Sequence, residues 1–230
     1  MAGNAKPAKS RPVHTGKKQE ALMNPYKAII YDIDGTVLNT INMNMYPLMR
    51  IIKEETGEDW TFEEVLRFVT YPGMKVMEEL QIKDKEKTYA RWVKYVNEYE
   101  EGAVLYDGIQ EVMEAFQAAP ILQAVVSAKT KEQYQIDFVE KGLDHYMAAA
   151  VLANDTQKHK PDPEPLLECL KRLGINAADA LYVGDGLSDY QAARNAGMDF
   201  GYAKWGSVSG DSIDAPDYVF EEPKDLLKLL

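Results

Sequence analysis

The chain is short of the residues that several functional classes require. It has one cysteine, Cys169, so no intramolecular disulfide can form and nothing points to an oxidising compartment. Its histidines, His14, His145 and His159, are too scattered for a zinc site. Basic charge is also short: 26 Lys and Arg face 37 Asp and Glu, a formal net charge of -11. A general nucleic-acid binder needs clustered Lys and Arg for phosphate contacts, so that class is not expected. A small anion is not excluded, because a local positive pocket can sit inside an acidic protein. No apolar run is long enough to span a bilayer, so no membrane partner is expected and the expected location is cytoplasmic.

Large apolar residues are nearly absent from the first 24 positions. There, Lys6, Lys9, Arg11, Lys17 and Lys18 face only Glu20, with Pro7 and Pro12 among them. This reads as a disordered basic tail outside the fold, without the apolar centre of a secretory signal. The whole chain has 230 residues, of which 46% are hydrophobic, enough for one large domain or a core with an insert.

From Tyr26 onward, β-rich runs alternate with helical patterns. The strand candidates are Ala28 to Tyr31, Ile121 to Ser127, Ala148 to Ala153, Ala180 to Val183, Phe200 to Trp205 and Tyr218 to Phe220. Helices are predicted over Gly108 to Ala118, Lys131 to Lys141, Pro163 to Leu173 and Asp189 to Ala196. The alternation predicts a parallel sheet with helices on both faces, and such sheets bind ligands at the carboxyl ends of their strands. Strands are lacking between Ile41 and Ala103, where Met45, Leu48, Met49 and Ile52, then Tyr89, Trp92, Val96 and Tyr99, recur at helical spacing. Residues 25–40 and 104–230 are therefore expected to form an α/β core and 41–103 a helical insert, with the Met and aromatic stripes as its packing core.

Polar signals fall at the predicted strand ends. In Asp32-Ile33-Asp34-Gly35-Thr36 the two acids lie two residues apart on extended backbone and face one site, and Gly35 allows a sharp turn. Gly184-Asp185-Gly186-Leu187-Ser188-Asp189 brings two more carboxylates, with Asp189 or Ser188 the candidate cap of the following helix and Ser188 its expected start. Four clustered carboxylates would repel one another unless a divalent cation sat among them. Ser127-Ala128-Lys129-Thr130 could grip a phosphate with a hydroxyl and helix-start amides, or serve only as a cap. Lys160, ahead of Pro161, is predicted in extended backbone at the mouth of a helix opened by Pro163; a lone lysine there is usually solvated surface, but near four acids it could neutralise phosphoryl oxygens.

In this order the four segments, DIDGT, Ser127, Lys160 and GDGLSD, resemble the haloacid dehalogenase-like superfamily of phosphohydrolases. The likeness covers the chain after its tail. A helical insert directly after the first motif is similar to the cap of the phosphoglycolate phosphatase and β-phosphoglucomutase branch. The resemblance implies a three-layer, Rossmann-like α/β core with an inserted helical cap. It implies an Mg²⁺-dependent phosphatase in which Asp32 is the nucleophile, forming an aspartyl-phosphate, and Asp34 the general acid and base. Asp32, the Asp34 carbonyl, Asp185 and Asp189 would serve the metal, and Ser127, Ala128 and Lys160 the phosphoryl group. An acid at position 34 favours an oxygen leaving group over a halide. Asn39 stands where an Asp is frequent, and as an equally good helix cap it is expected to preserve the hinge.

The expected partner is a small phosphorylated metabolite, and the chain is expected to be a monomer or homodimer. Tyr46, Arg50 and Lys75 of the insert are candidate substrate contacts, although packing or solvated roles fit them equally. A β-phosphoglucomutase-like phosphotransferase would use the same core residues, and Thr36, where mutases of this branch often carry Val, favours hydrolysis. A binding protein that keeps the fold without the chemistry is the alternative of another class.

Overall fold

The computed structural model describes residues 26–69, 71–208 and 213–230. The basic tail predicted for residues 1–24 lies outside the described residues. Strand β1 (Ala28–Tyr31) is followed by a two-residue strand, β2 (Leu38–Asn39). Four helices come next without an intervening strand: α1 (Ile41–Thr56), α2 (Phe62–Leu66), α3 (Gly73–Glu79) and α4 (Lys85–Asn97). The chain then runs β3 (Val104–Leu105), α5 (Ile109–Ala118), β4 (Leu122–Val126) and α6 (Lys131–Tyr134). It continues with β5 (Ala149–Val151), α7 (Glu164–Leu173), β6 (Ala180–Gly184), α8 (Leu187–Ala196), β7 (Asp199–Ala203) and β8 (Tyr218–Phe220).

Six of these strands form one parallel sheet in the order β5-β4-β1-β6-β7-β8. Side chains alternate across it, as the pleat requires. Ile29 and Tyr31 join Ile109, Val112 and Phe116 of α5 on one face. Ala28 and Ile30 join Leu166 and Cys169 of α7 and Ala192 and Ala193 of α8 on the other. All four residues of β1 are buried, as expected for a central parallel strand covered on both sides. Because β1 pairs with β4 on one side and β6 on the other, the chain leaves the sheet in opposite directions there. That leaves a crevice beyond their carboxyl ends.

The Met and aromatic stripes pack as expected: Met45, Leu48, Ile52, Trp92 and Val96 are buried in the cluster that also holds Tyr31 and Val183 of the sheet. Two features depart from the sequence reading. The helical stretch is bracketed by an antiparallel ribbon pairing Leu38 with Leu105 and Asn39 with Val104, too short to leave a periodic signal. The helix expected over 131–141 is regular only to Tyr134 and continues as a π-helical turn, Gln135–Val139. The cap position expected of Asn39 belongs to Thr40, which makes no side-chain cap bond; Asn39, one residue earlier, accepts at Oδ1 from the Ile41 amide at 3.1 Å. Among the described residues no helix is long and apolar enough to cross a membrane.

Candidate active site

The turn after β1 is fixed from several sides. The Asp32 amide donates to Val183 O of β6 at 2.8 Å, and Gly35 adopts φ +79°. A side chain at Gly35 would place a Cβ 2.3 Å from Asp185 Oδ2, so only glycine allows the first and last acidic segments to meet. Thr36 Oγ1 donates to Asp185 Oδ1 at 3.2 Å, tying the same two segments together.

Carboxylate oxygens of Asp32, Asp185 and Asp189 lie within 4.8 Å of one another and could hold a metal ion. Lys160 sits against this group, its Nζ 2.9 Å from Asp32 Oδ1 and 2.7 Å from Asp189 Oδ1. With all three ionised, three carboxylates against one ammonium would leave two negative charges in a buried space. An all-oxygen donor set with that excess suits a hard divalent cation. Burial is the main influence on the Asp32 carboxyl; with Asp189 and Asp34 nearby, it is pushed up to about 7 against the opposing Lys160 ammonium. Burial, reinforced by Asp189 and Asp32, also drives Asp185 well above the usual carboxylate range. Burial works against the charge on Lys160, but Asp189 and Asp32 outweigh it and hold the ammonium well above its ordinary range.

Asp189 is 2% exposed and has both oxygens engaged. Its Oδ1 accepts from Lys160 and from the Tyr182 hydroxyl at 3.0 Å, and its Oδ2 from the Gly186 amide at 3.0 Å. It thereby caps α8, which begins at Leu187 with Gly186 at its N-cap, so the start expected of Ser188 belongs to Gly186 and Asp189. Tyr182 read as a strand core residue. Its hydroxyl, which also accepts from Lys160 at 3.0 Å, left no mark in the sequence pattern.

Ser127 ends β4 with its amide bonded to Val151 O at 3.0 Å, and Ala128 follows it, exposed. Thr130 caps α6 in a reciprocal box with Gln133, as the plainer reading of this segment foresaw. The sequence reading assigned no role to Lys129. It is 7% exposed, and its Nζ lies 3.0 Å from Asp34 Oδ1 and 2.6 Å from Asp137 Oδ2. Burial opposes its charge, and Asp34 and Asp137 overcome that, so the ammonium is raised above its ordinary range.

The structure thus brings Asp32, Asp185, Asp189 and Lys160 into one cluster at the ends of β1 and β6. Asp34 stands two residues from Asp32, paired with Lys129. Tyr46, Arg50 and Lys75 lie in the helical stretch, each beside neighbours of its own. Tyr46 stacks near Phe62 and Tyr99, with ring centroids 4.9 and 6.2 Å away. Arg50 Nε donates to Glu54 at 2.8 Å and its guanidinium lies 3.8 Å over the Tyr95 ring, while Lys75 Nζ lies 4.0 Å over Tyr71.

Comparison with known proteins agrees with this geometry. The haloacid dehalogenase-like hydrolase profile matches residues 29–203. A phosphoglycolate phosphatase of Thiobacillus denitrificans is 30% identical, over 83% of this chain and 91% of its own. Pyrophosphatase PpaX of Bacillus velezensis is 24% identical over 88% of this chain and 95% of its own. A crystal structure from Lactobacillus plantarum, described as a candidate phosphoglycolate phosphatase, superposes with a TM-score of 0.80 at 26% identity, covering 89% of this chain and 99% of that one. With its six-stranded parallel sheet and the carboxylates at its strand ends, the chain belongs to the haloacid dehalogenase-like hydrolases.

Proposed function

We propose that this phosphatase of the haloacid dehalogenase-like family hydrolyses a small phosphate monoester through a covalent intermediate on Asp32, with Mg²⁺ as its metal. The observation that carries the reading is the meeting of Asp32, Asp185 and Asp189 around Lys160, with Asp34 beside them on the same turn. Asp32 attacks phosphorus, forming an acyl-phosphate bond as the bond to the leaving oxygen breaks, and Asp34 gives that oxygen its proton. Asp34 then takes a proton from water, which attacks the same phosphorus and frees phosphate and the Asp32 carboxylate. Lys160, the Ser127 hydroxyl and the Ala128 amide hold the phosphoryl oxygens while they change partners. Asp32, Asp185, Asp189 and the Asp34 carbonyl would hold Mg²⁺, which would neutralise the transferring group and keep buried Asp32 ionised.

The helical stretch 41–103 is read as a cap that covers the site and excludes bulk water, with Tyr46, Arg50 and Lys75 as candidate substrate contacts. The named relatives act on small phosphorylated compounds, phosphoglycolate and pyrophosphate among them, which supports a metabolite-sized substrate here. The test is phosphate release from a panel of phosphorylated metabolites with Mg²⁺ or EDTA. Metal-dependent release from at least one compound is expected, and Arg50→Ala and Lys75→Ala are expected to change preference among metabolites more than turnover of an aryl phosphate. No release from any compound by folded, metal-loaded protein would refute hydrolysis and favour transfer to a sugar phosphate or a non-catalytic role.

A further inference from the structure

The Asp34–Lys129–Asp137 array is unusual for a group assigned to proton transfer. Lys129 and Asp137 are 7% and 5% exposed, so neither is a surface charge. Their Nζ to Oδ2 distance of 2.6 Å is that of a charge-assisted hydrogen bond. The Lys129 backbone is held as well, its amide donating to Ser127 Oγ at 3.2 Å and its carbonyl accepting from Ala153 at 3.0 Å. Asp137 belongs to the π-helical turn Gln135–Val139, a local departure that recurs at functional positions in helices. The one more exposed member is Asp34, whose side chain is 39% exposed while its Oδ1 lies 3.0 Å from the Lys129 ammonium. A buried ion pair is weak support for stability, since apolar residues of similar volume often serve equally well. The feature that apolar residues could not reproduce is the ammonium presented to Asp34.

We propose that Lys129, anchored by Asp137, is a positioning residue that fixes the Asp34 carboxyl at one oxygen and leaves the other aimed at the leaving group. The proposal rests on reading Asp34 as the general acid. A wandering carboxyl donates its proton less often at the moment the phosphorus–oxygen bond breaks, and misplacement of this size is costly in rate. An alkyl leaving oxygen needs that proton, whereas a nitrophenolate departs without it. Loss of positioning is therefore selective by leaving group, and kcat/KM isolates the first transfer step.

The experiment compares kcat/KM for an alkyl phosphate and for p-nitrophenyl phosphate in wild type, Lys129→Met/Asp137→Leu and Asp34→Asn. The double variant strands no buried charge and is expected to fold. It should lose roughly 10- to 100-fold on the alkyl ester, a share of what a general acid supplies, and less than about threefold on the aryl ester. Asp137→Asn, which leaves the ammonium in place with a weaker anchor, should show the same asymmetry to a smaller degree. Equal losses on both esters would mean that Lys129 contacts the phosphoryl group, and wild-type values in folded protein would mean a packing role; either overturns the proposal. If Asp34→Asn itself shows no asymmetry, the assignment of Asp34 fails and takes the proposal with it. If Asp34→Asn shows it and neither Lys129 nor Asp137 variant does, only the proposal fails.

Discussion

Gly206 lies outside every motif that marks the site, yet its replacement by alanine should disable the enzyme. It follows Trp205, whose Nε1 donates to Thr36 O at 3.0 Å, so this short segment after β7 braces the turn that carries Asp32 and Asp34. The brace is tight: a Cβ on Gly206 would lie 1.5 Å from Gly35 O. A comfortable carbon–oxygen approach is about 3.3 Å, so the two backbones would have to part by about 1.8 Å. Neither can yield easily, because Gly35 is itself held against Asp185 and Gly206 is buried. Displacing reacting groups by about 1 Å costs on the order of 10²-fold in rate, so Gly206→Ala should lose at least that in kcat. Overpacking of this kind costs about 1–3 kcal/mol, which the fold should survive. Phosphate release and thermal unfolding measured on the same preparation test this. A folded variant within threefold of wild type would show that the turn tolerates the displacement and that the brace is not functional.

Burial and charge set further outcomes. Burial pushes the Cys169 thiol from 9.0 up to about 12, so at pH 8 it should resist thiol reagents until the protein unfolds. Because the folded value lies above the unfolded one, the thiol's contribution to stability is intact below pH 9 and is lost as pH rises toward 12; denaturant titrations of wild type and Cys169→Ala should diverge accordingly. A cation held by the three carboxylates should raise the unfolding midpoint: at a hundredfold excess over Kd the gain is about 2.7 kcal/mol, roughly 5 to 10 °C. Asp185→Asn should lose most of that rise, and a variant that keeps it would move the metal site elsewhere.

The acids that carry the proposed chemistry were legible because each ends a strand, where side-chain period and turn residues leave a local mark. That pattern singled out Asp32, Asp34 and Asp185, while their roles came from the resemblance of the four segments taken together. Lys129 was hidden, since its partner Asp137 lies on a π-helical turn and a lysine next to a helix start looks like solvated surface. Tyr182 was hidden for a related reason: an aromatic residue in a buried strand satisfies the packing pattern, and its hydroxyl leaves no periodic trace. Gly206 was illegible because its constraint is the backbone of a residue far away in sequence. The ribbon of Leu38 and Asn39 with Val104 and Leu105 is a long-range pairing of two residues a side, shorter than any window that detects alternation.

The proposed chemistry turns on whether Asp32 carries the phosphoryl group. It is tested most directly by rapid acid quench during turnover with Mg²⁺, followed by mass spectrometry of the peptide spanning Asp32. A phosphoryl group is expected on Asp32 in the wild type, with neither adduct nor phosphate release in Asp32→Asn. Phosphate release by Asp32→Asn at the wild-type rate, or a phosphoryl group found on another residue, would contradict it.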